Sequence, residues 1–205
     1  RAVIDTTVQR HGRLDALFCN AGTEGRIAPI TETTVADFDR VMAVNVRGVF
    51  LGLKHALPVM KAQGSGSILI TSSVAGFKGG AYLAPYAASK HAVEGLTEAM
   101  HFELSQQGIR VCLVEPGQFA TNLGENGRRA AAMTPDTPEA ERRERFRLAQ
   151  RSLVNGQPAD PQAVAEAIYR AAVERPGRLR HLVGGDAELI ATTKAAMAFE
   201  EFDVT

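Results

Sequence analysis

Tyr86 and Lys90 stand four positions apart in Tyr86-Ala87-Ala88-Ser89-Lys90, a segment that opens a helical pattern. Side chains four apart share one helical face. A phenol with an ordinary pKa of about 10 is a poor acid or base near neutrality. An ammonium beside it favours the phenolate and lowers that value. Such a pair can move a proton. Any amphipathic helix can carry a Tyr and a Lys by chance, so context decides. A strand-like run ends in Thr71-Ser72-Ser73, and a loop with Gly76, Gly79 and Gly80 leads from it to Tyr86. In parallel α/β sheets, sites form beyond the carboxyl ends of strands. Ser73 and Tyr86 are therefore expected at the same sheet edge.

The elements that must position these groups alternate along the chain. Helical spacing runs from Ala2 to His11 and stops at Gly12. Leu14 to Cys19 is a short apolar run closed by Asn20-Ala21-Gly22, as a buried parallel strand would be. Asp37 to Lys61 reads as one long helix, with Pro58 placed to bend or close it. Ser67 to Thr71 is a strand, Ala84 to Gln107 a second long helix, and Ile109 to Val114 a strand closed by Pro116-Gly117. Pro138 to Leu153 is polar; Arg142, Arg143, Arg145 and Arg147 stand among glutamates, as on a solvated helix face. Asp160-Pro161 starts a helix to about Glu174. Arg180 to Val183 is a last strand, and Ala187 to Phe199 a last helix. Strands alternating with helices imply a single α/β domain with a doubly wound parallel sheet and right-handed crossovers.

Composition narrows the function classes. The 205 residues carry 23 Lys and Arg against 23 Asp and Glu, so no basic excess points to nucleic acid. No run of about 18 apolar residues suggests a membrane span. Cys19 and Cys112 sit in strand-like runs and read as buried free thiols, which suits the cytoplasm. The five histidines lack metal-ligand spacing and read as helix-face or surface residues, so no metal is expected.

Asn20-Ala21-Gly22, Asn45-Val46-x-Gly48, Ser73, Tyr86-x-x-x-Lys90 and Pro116-Gly117 occur in the order and spacing of short-chain dehydrogenases/reductases. The resemblance is close over about residues 1 to 121 and looser to Val183-Gly184-Gly185-Asp186. It implies a Rossmann-type fold and an oxidoreductase using NAD or NADP on a secondary alcohol or ketone. By the same resemblance, Tyr86 is the general acid/base and Lys90 its partner and a ligand to the nicotinamide ribose. Ser73 would orient the substrate oxygen, and Asn45 would hold a water linking the lysine to solvent. Asn20, Ala21 and Gly22 would lie near the adenosine side of the cofactor. Pro116, Gly117 and Thr121 would seat its nicotinamide end. Cys112 stands where many members have asparagine.

The family's Gly-rich dinucleotide turn is absent from the sequence, which opens with Arg1 inside a helical pattern. The chain is therefore expected to be the C-terminal portion of an N-terminally truncated member, one domain over residues 1–205. Residues of about 118–155 would form a flap over the substrate. Phe119, Leu123, Met133, Phe146 and Leu153 within it, with Phe77 and Tyr82, would suit an apolar alcohol or ketone. The resemblance also implies a homodimer or homotetramer paired through the two long helices. A non-catalytic dinucleotide-binding or scaffold protein, or an inactive fragment, is the alternative reading.

Overall fold

The computed structural model describes residues 1–123, 128–129, 137–154, 158–174 and 177–198. Four parallel strands form the sheet: β1 (Ala16–Cys19), β3 (Gly66–Thr71), β4 (Ile109–Pro116) and β6 (Arg180–Val183), in spatial order β1-β3-β4-β6. Gly66 pairs with Ile109 and Leu113 with Arg180. Two short segments, β2 (Arg26–Ile27) and β5 (Arg128–Arg129), pair apart from it.

Helices cover both faces, which is why β3 and β4 read as continuous apolar runs rather than alternating ones. Ile68, Ile70, Ile109, Val111 and Leu113 face α1 (Ala2–His11), α3 (Gly48–Gln63) and α4 (Ala84–Leu104). Ile4, Leu53, Met60, Val93 and Leu104 complete that core. Leu69, Cys112 and Val114 point the other way, against Ala167 and Ala171 of α6 (Gln162–Val173). The expected doubly wound α/β fold is present.

The long helix expected from Asp37 to Lys61 is divided. It consists of α2 (Val35–Met42), a π-helical turn over Ala43–Arg47, and α3. Thr34 and Asp37 cap its start reciprocally. Pro58 lies inside α3 without closing it, and the helix runs on to Gly64 at φ 65°. The first turn of the later α6 is capped by Asp160, whose Oδ1 accepts from the Gln162 N–H at 2.9 Å. The last helix, α7, spans Gly185–Ala196, two residues earlier than expected at its start. Phe199 and Met133 lie outside the described residues. Cys112 is buried, but Cys19 is only half-buried because β1 is an edge strand. His181 departs from the surface reading: it lies in β6, with Nε2 buried. Among the described residues, no helix is long and apolar enough to cross a membrane.

Candidate active site

The strand register brings the expected residues to one edge. Cys19 pairs with Ile70, and Thr71 with Val114, so β1, β3 and β4 end together. Their carboxyl ends release Asn20–Gly22, Ser72–Ser73 and Gly117 into one cavity of about 1060 Å³. Tyr86, Lys90, Pro116 and Thr121 also line it. Asn45 does not line it, but lies directly behind.

Tyr86 is 6 % exposed, packed with Ile27, Ala28 and Leu83. This apolar setting pushes the phenol up to about 12; a hydrogen bond with Ser73 opposes the shift and the Glu24 carboxylate adds to it. The acidification expected from sequence is thus not the resting state. The reason is desolvation by burial; the lysine Nζ lies 5.7 Å from the ring centroid. Lys90 is equally buried and is pushed down to about 8, an effect that Glu94 partly offsets. Its Nζ donates to the Thr71 carbonyl at 2.8 Å. Ser73 begins a 3-10 turn, and its Oγ accepts from the Ala75 N–H at 3.2 Å.

Asn45 sits in the π-helical turn, a feature that often marks functional positions. Its amide makes three hydrogen bonds within the chain. Nδ2 donates to the Thr23 carbonyl and to Ser89 Oγ, each at 2.9 Å, and Oδ1 accepts from the Thr23 N–H at 2.9 Å. It therefore ties the loop after β1 to α4, one residue from Lys90. A Cβ on Gly22 would lie 3.6 Å from Asn45 Oδ1 and 3.8 Å from Lys90 Nζ. Asn20 Oδ1 accepts from Thr71 Oγ1 at 2.9 Å, linking the first two strand ends.

The Pro116-Gly117 turn has a partner that sequence reasoning did not assign. A Cβ on Gly117 would stand 2.0 Å from Asp186 Oδ1. Asp186, 2 % exposed at the start of α7, accepts from the Gln118 N–H at 2.8 Å. Gly117 is thus required for space, and Asp186 anchors the backbone leading to Thr121. The available signal was Gly184-Gly185-Asp186, with Gly184 at φ +102°.

Helix α5 (Pro138–Ser152) lies over the cavity mouth. Arg143, Arg147 and Arg151, spaced by four, line the cavity with Glu144. This corrects the solvated-face reading for the half-buried Arg143 and Arg147; Arg142 and Arg145 are exposed as expected. Phe146 anchors the helix: its ring would touch a Cβ on Gly80 at 3.4 Å, with Lys78 Nζ 5.2 Å and Arg143 Cζ 5.7 Å from its centroid. Of the expected apolar flap residues, Phe119 and Leu123 line the cavity.

The family model for short chain dehydrogenase matches residues 1–132. The levodione reductase of Leifsonia aquatica is 42 % identical over 137 residues, covering 67 % of this chain and 51 % of the relative. A short-chain dehydrogenase structure from Streptomyces avermitilis is 33 % identical, with TM-score 0.78 over 95 % of this chain and 70 % of that one. The NADP-bound ElxO structure is 27 % identical, with TM-score 0.75 over 92 % and 73 %. The chain spans about half the length of the curated relatives it matches. By the family match over well more than half its residues, this chain belongs to the short-chain dehydrogenases.

Proposed function

We propose that the whole protein is an NAD- or NADP-dependent oxidoreductase that interconverts a secondary alcohol and a ketone, with Tyr86 transferring the proton. The observation that carries this reading is the placement of the buried Tyr86 beside Lys90 in one cavity with Ser73, at the carboxyl edge of a parallel sheet. The levodione reductase and NADP-bound relatives support it.

The residues present suit a nicotinamide dinucleotide. The cavity is large, the segments Asn20–Gly22 and Pro116–Thr121 line it, and Lys90 offers a cation for ribose hydroxyls. The cofactor supplies the hydride chemistry when bound. The chain's own groups handle position and the proton. Ser73 holds the substrate oxygen beside Tyr86. With its pKa near 12, Tyr86 is protonated at neutral pH and ready to donate to a carbonyl. The resulting phenolate faces the Lys90 ammonium, and Asn45 keeps α4 and the β1 loop in place for that encounter. Reduction is therefore the direction favoured at neutral pH, and alcohol oxidation gains as pH rises.

The cavity mouth carries Arg143, Arg151 and the Arg147–Glu144 ion pair together with apolar Phe119 and Leu123. The substrate is then a small alcohol or ketone with an apolar body. Exposed Phe50 and Leu51 on α3 and Phe102 on α4 suit pairing of two copies as a homodimer or homotetramer. The two free thiols suit a cytoplasmic setting.

The test is Tyr86→Phe in the complete enzyme, assayed with both cofactors against a panel of ketones. Turnover should fall by about 10²–10⁴-fold, the usual contribution of a positioned proton donor. Near-full turnover would overturn the assignment. Cofactor binding by fluorescence without turnover, in the unmutated protein, would support the scaffold reading instead.

A further inference from the structure

Behind Lys90, on the side away from the cavity, three carboxylates converge on one guanidinium. Helix α4 carries Lys90, Glu94 and Glu98 at successive four-residue steps, hence on one face. In the sheet, Leu113 pairs with Arg180 and Glu115 with Leu182. Alternation along each strand puts Glu115 and Arg180 on that same α4 side. Arg180 Nη1 donates to Glu94 Oε2 and, at 2.7 Å, to Glu115 Oε1; its Nη2 donates to Glu98 Oε1 at 2.5 Å.

The cluster carries more negative charge than positive. Lys90 and Arg180 supply two positive charges against three carboxylates. Glu94 and Glu115 are 6 % and 1 % exposed, whereas Glu98 is open to solvent. The other charged groups nearby are committed elsewhere. His181 points to the opposite sheet face by alternation, Asp186 of α7 accepts from Gln118, and Lys194 of α7 donates to the Phe77 carbonyl. The two carboxyl groups meet at one nitrogen, Arg180 Nη1, which bonds one oxygen of each, while their other oxygens, Glu94 Oε1 and Glu115 Oε2, are buried with no hydrogen-bond partner. Two ionised carboxylates cannot satisfy one another there; a proton between them can. Gly76 makes the room for Glu94 there: a Cβ on it would stand 2.7 Å from Glu94 Oε1 and 2.7 Å from Ser72 Oγ, a buried hydroxyl with no hydrogen-bond partner of its own.

We propose that Glu94 and Glu115 hold one proton between them, and that the negative charge left on Glu94 keeps the buried Lys90 an ammonium. Glu94 is then a positioning residue for proton transfer at Tyr86, a role that rests on the function proposed above. Burial and the Glu94 charge together push Glu115 up to about 7, against the pull of Arg180. Burial pulls Lys90 down, and Glu94 holds it up.

Carboxyl-region infrared spectra and Nζ-sensitive ¹³Cε lysine NMR on the full chain test this without any cofactor. The unmutated protein should show a buried protonated carboxyl near pH 6 that disappears as pH rises past about 7 and is absent in Glu115→Gln. Two ionised carboxylates at pH 6 would overturn the proposal. Glu94→Gln should lower the Lys90 midpoint by about one unit, tenfold in the ammonium-to-amine ratio, from loss of a neighbouring opposite charge. Glu115→Gln should lower it much less, and Glu94→Asp should restore it. An unchanged Lys90 midpoint in folded Glu94→Gln would overturn the positioning role. If the complete enzyme proves inactive while these shifts appear, the oxidoreductase reading fails and the shared proton stands.

Discussion

Substituting Gly117 by Ala probes the Asp186 anchor directly. The new Cβ would fall 2.0 Å from Asp186 Oδ1 and 2.3 Å from Oδ2, far inside contact distance. Gly117 has no positive φ, so alanine suffers no backbone penalty and the clash alone acts. Asp186 must withdraw and give up its 2.8 Å hydrogen bond from the Gln118 N–H. A hydrogen bond to a charged group contributes about 1.5–3 kcal/mol. For a chain of this size, each kcal/mol moves Tm by roughly 2–4 °C, so Tm should fall by about 3–12 °C. The assay is thermal unfolding of four proteins: unmutated, Gly117→Ala, Asp186→Ala and the double variant. Since Asp186→Ala removes both clash and hydrogen bond, adding Gly117→Ala to it should cost almost nothing, leaving a coupling of about the same 1.5–3 kcal/mol. Gly79→Ala, where a Cβ meets nothing within 4 Å, is the control and should melt at or slightly above the parent. A Gly117→Ala protein that melts with the parent, or strictly additive effects, would refute the reasoning.

Asn45→Ala leaves the Thr23 backbone and Ser89 without their partners. It should cost roughly 2 kcal/mol or more and lower Tm by about 4–8 °C by calorimetry. Phe146→Ala removes two cation–π contacts of about 0.5–1 kcal/mol each, so trypsin should cut the α5 arginines roughly five to thirty times faster. Equal cleavage rates would mean that Phe146 does not hold the helix down. Lys90 titrates at about 8 in the fold but at 10.5 unfolded, so the unfolded chain binds the extra proton between those values. Stability from this group therefore rises as pH climbs from 8 to 10.5, by up to about 3 kcal/mol. Urea unfolding of Lys90→Met should lack that rise, and a parallel pH dependence in both proteins would count against it.

Legibility in the sequence followed locality. Strand ends, helix breaks at Gly12 and Gly64, and the Tyr86–Lys90 face all follow from short-range pattern and turn chemistry. The Asp186 clamp was hidden because Gly117 and Asp186 meet only through the pairing of β4 with β6. The π-helical turn was hidden because Ala43–Arg47 keeps an ordinary helical apolar pattern, and the partner of Asn45 there, Ser89 of α4, is 44 residues away. The arginine row of α5 read as solvated because charge spacing does not say which face meets a cavity. The Tyr86 environment depended on Ile27 and Ala28, distant in sequence, which turned an expected acidification into its opposite.

The parallel sheet also bears on the order in which the molecule assembles. Every strand pairing joins residues more than forty positions apart, as Gly66 with Ile109, so loop closure precedes any reward and folding should be slow for the chain's size. Ser73, Tyr86, Lys90 and Gly117 nevertheless belong to one crossover unit, β3 through α4 to β4. Pairing those two strands brings the four groups into register in a single event. Asp186 reaches Gly117 only when β6 and α7 dock afterwards. Substitutions at the clamp should therefore speed unfolding with little effect on folding, whereas substitutions in the β3–α4–β4 unit should slow folding itself.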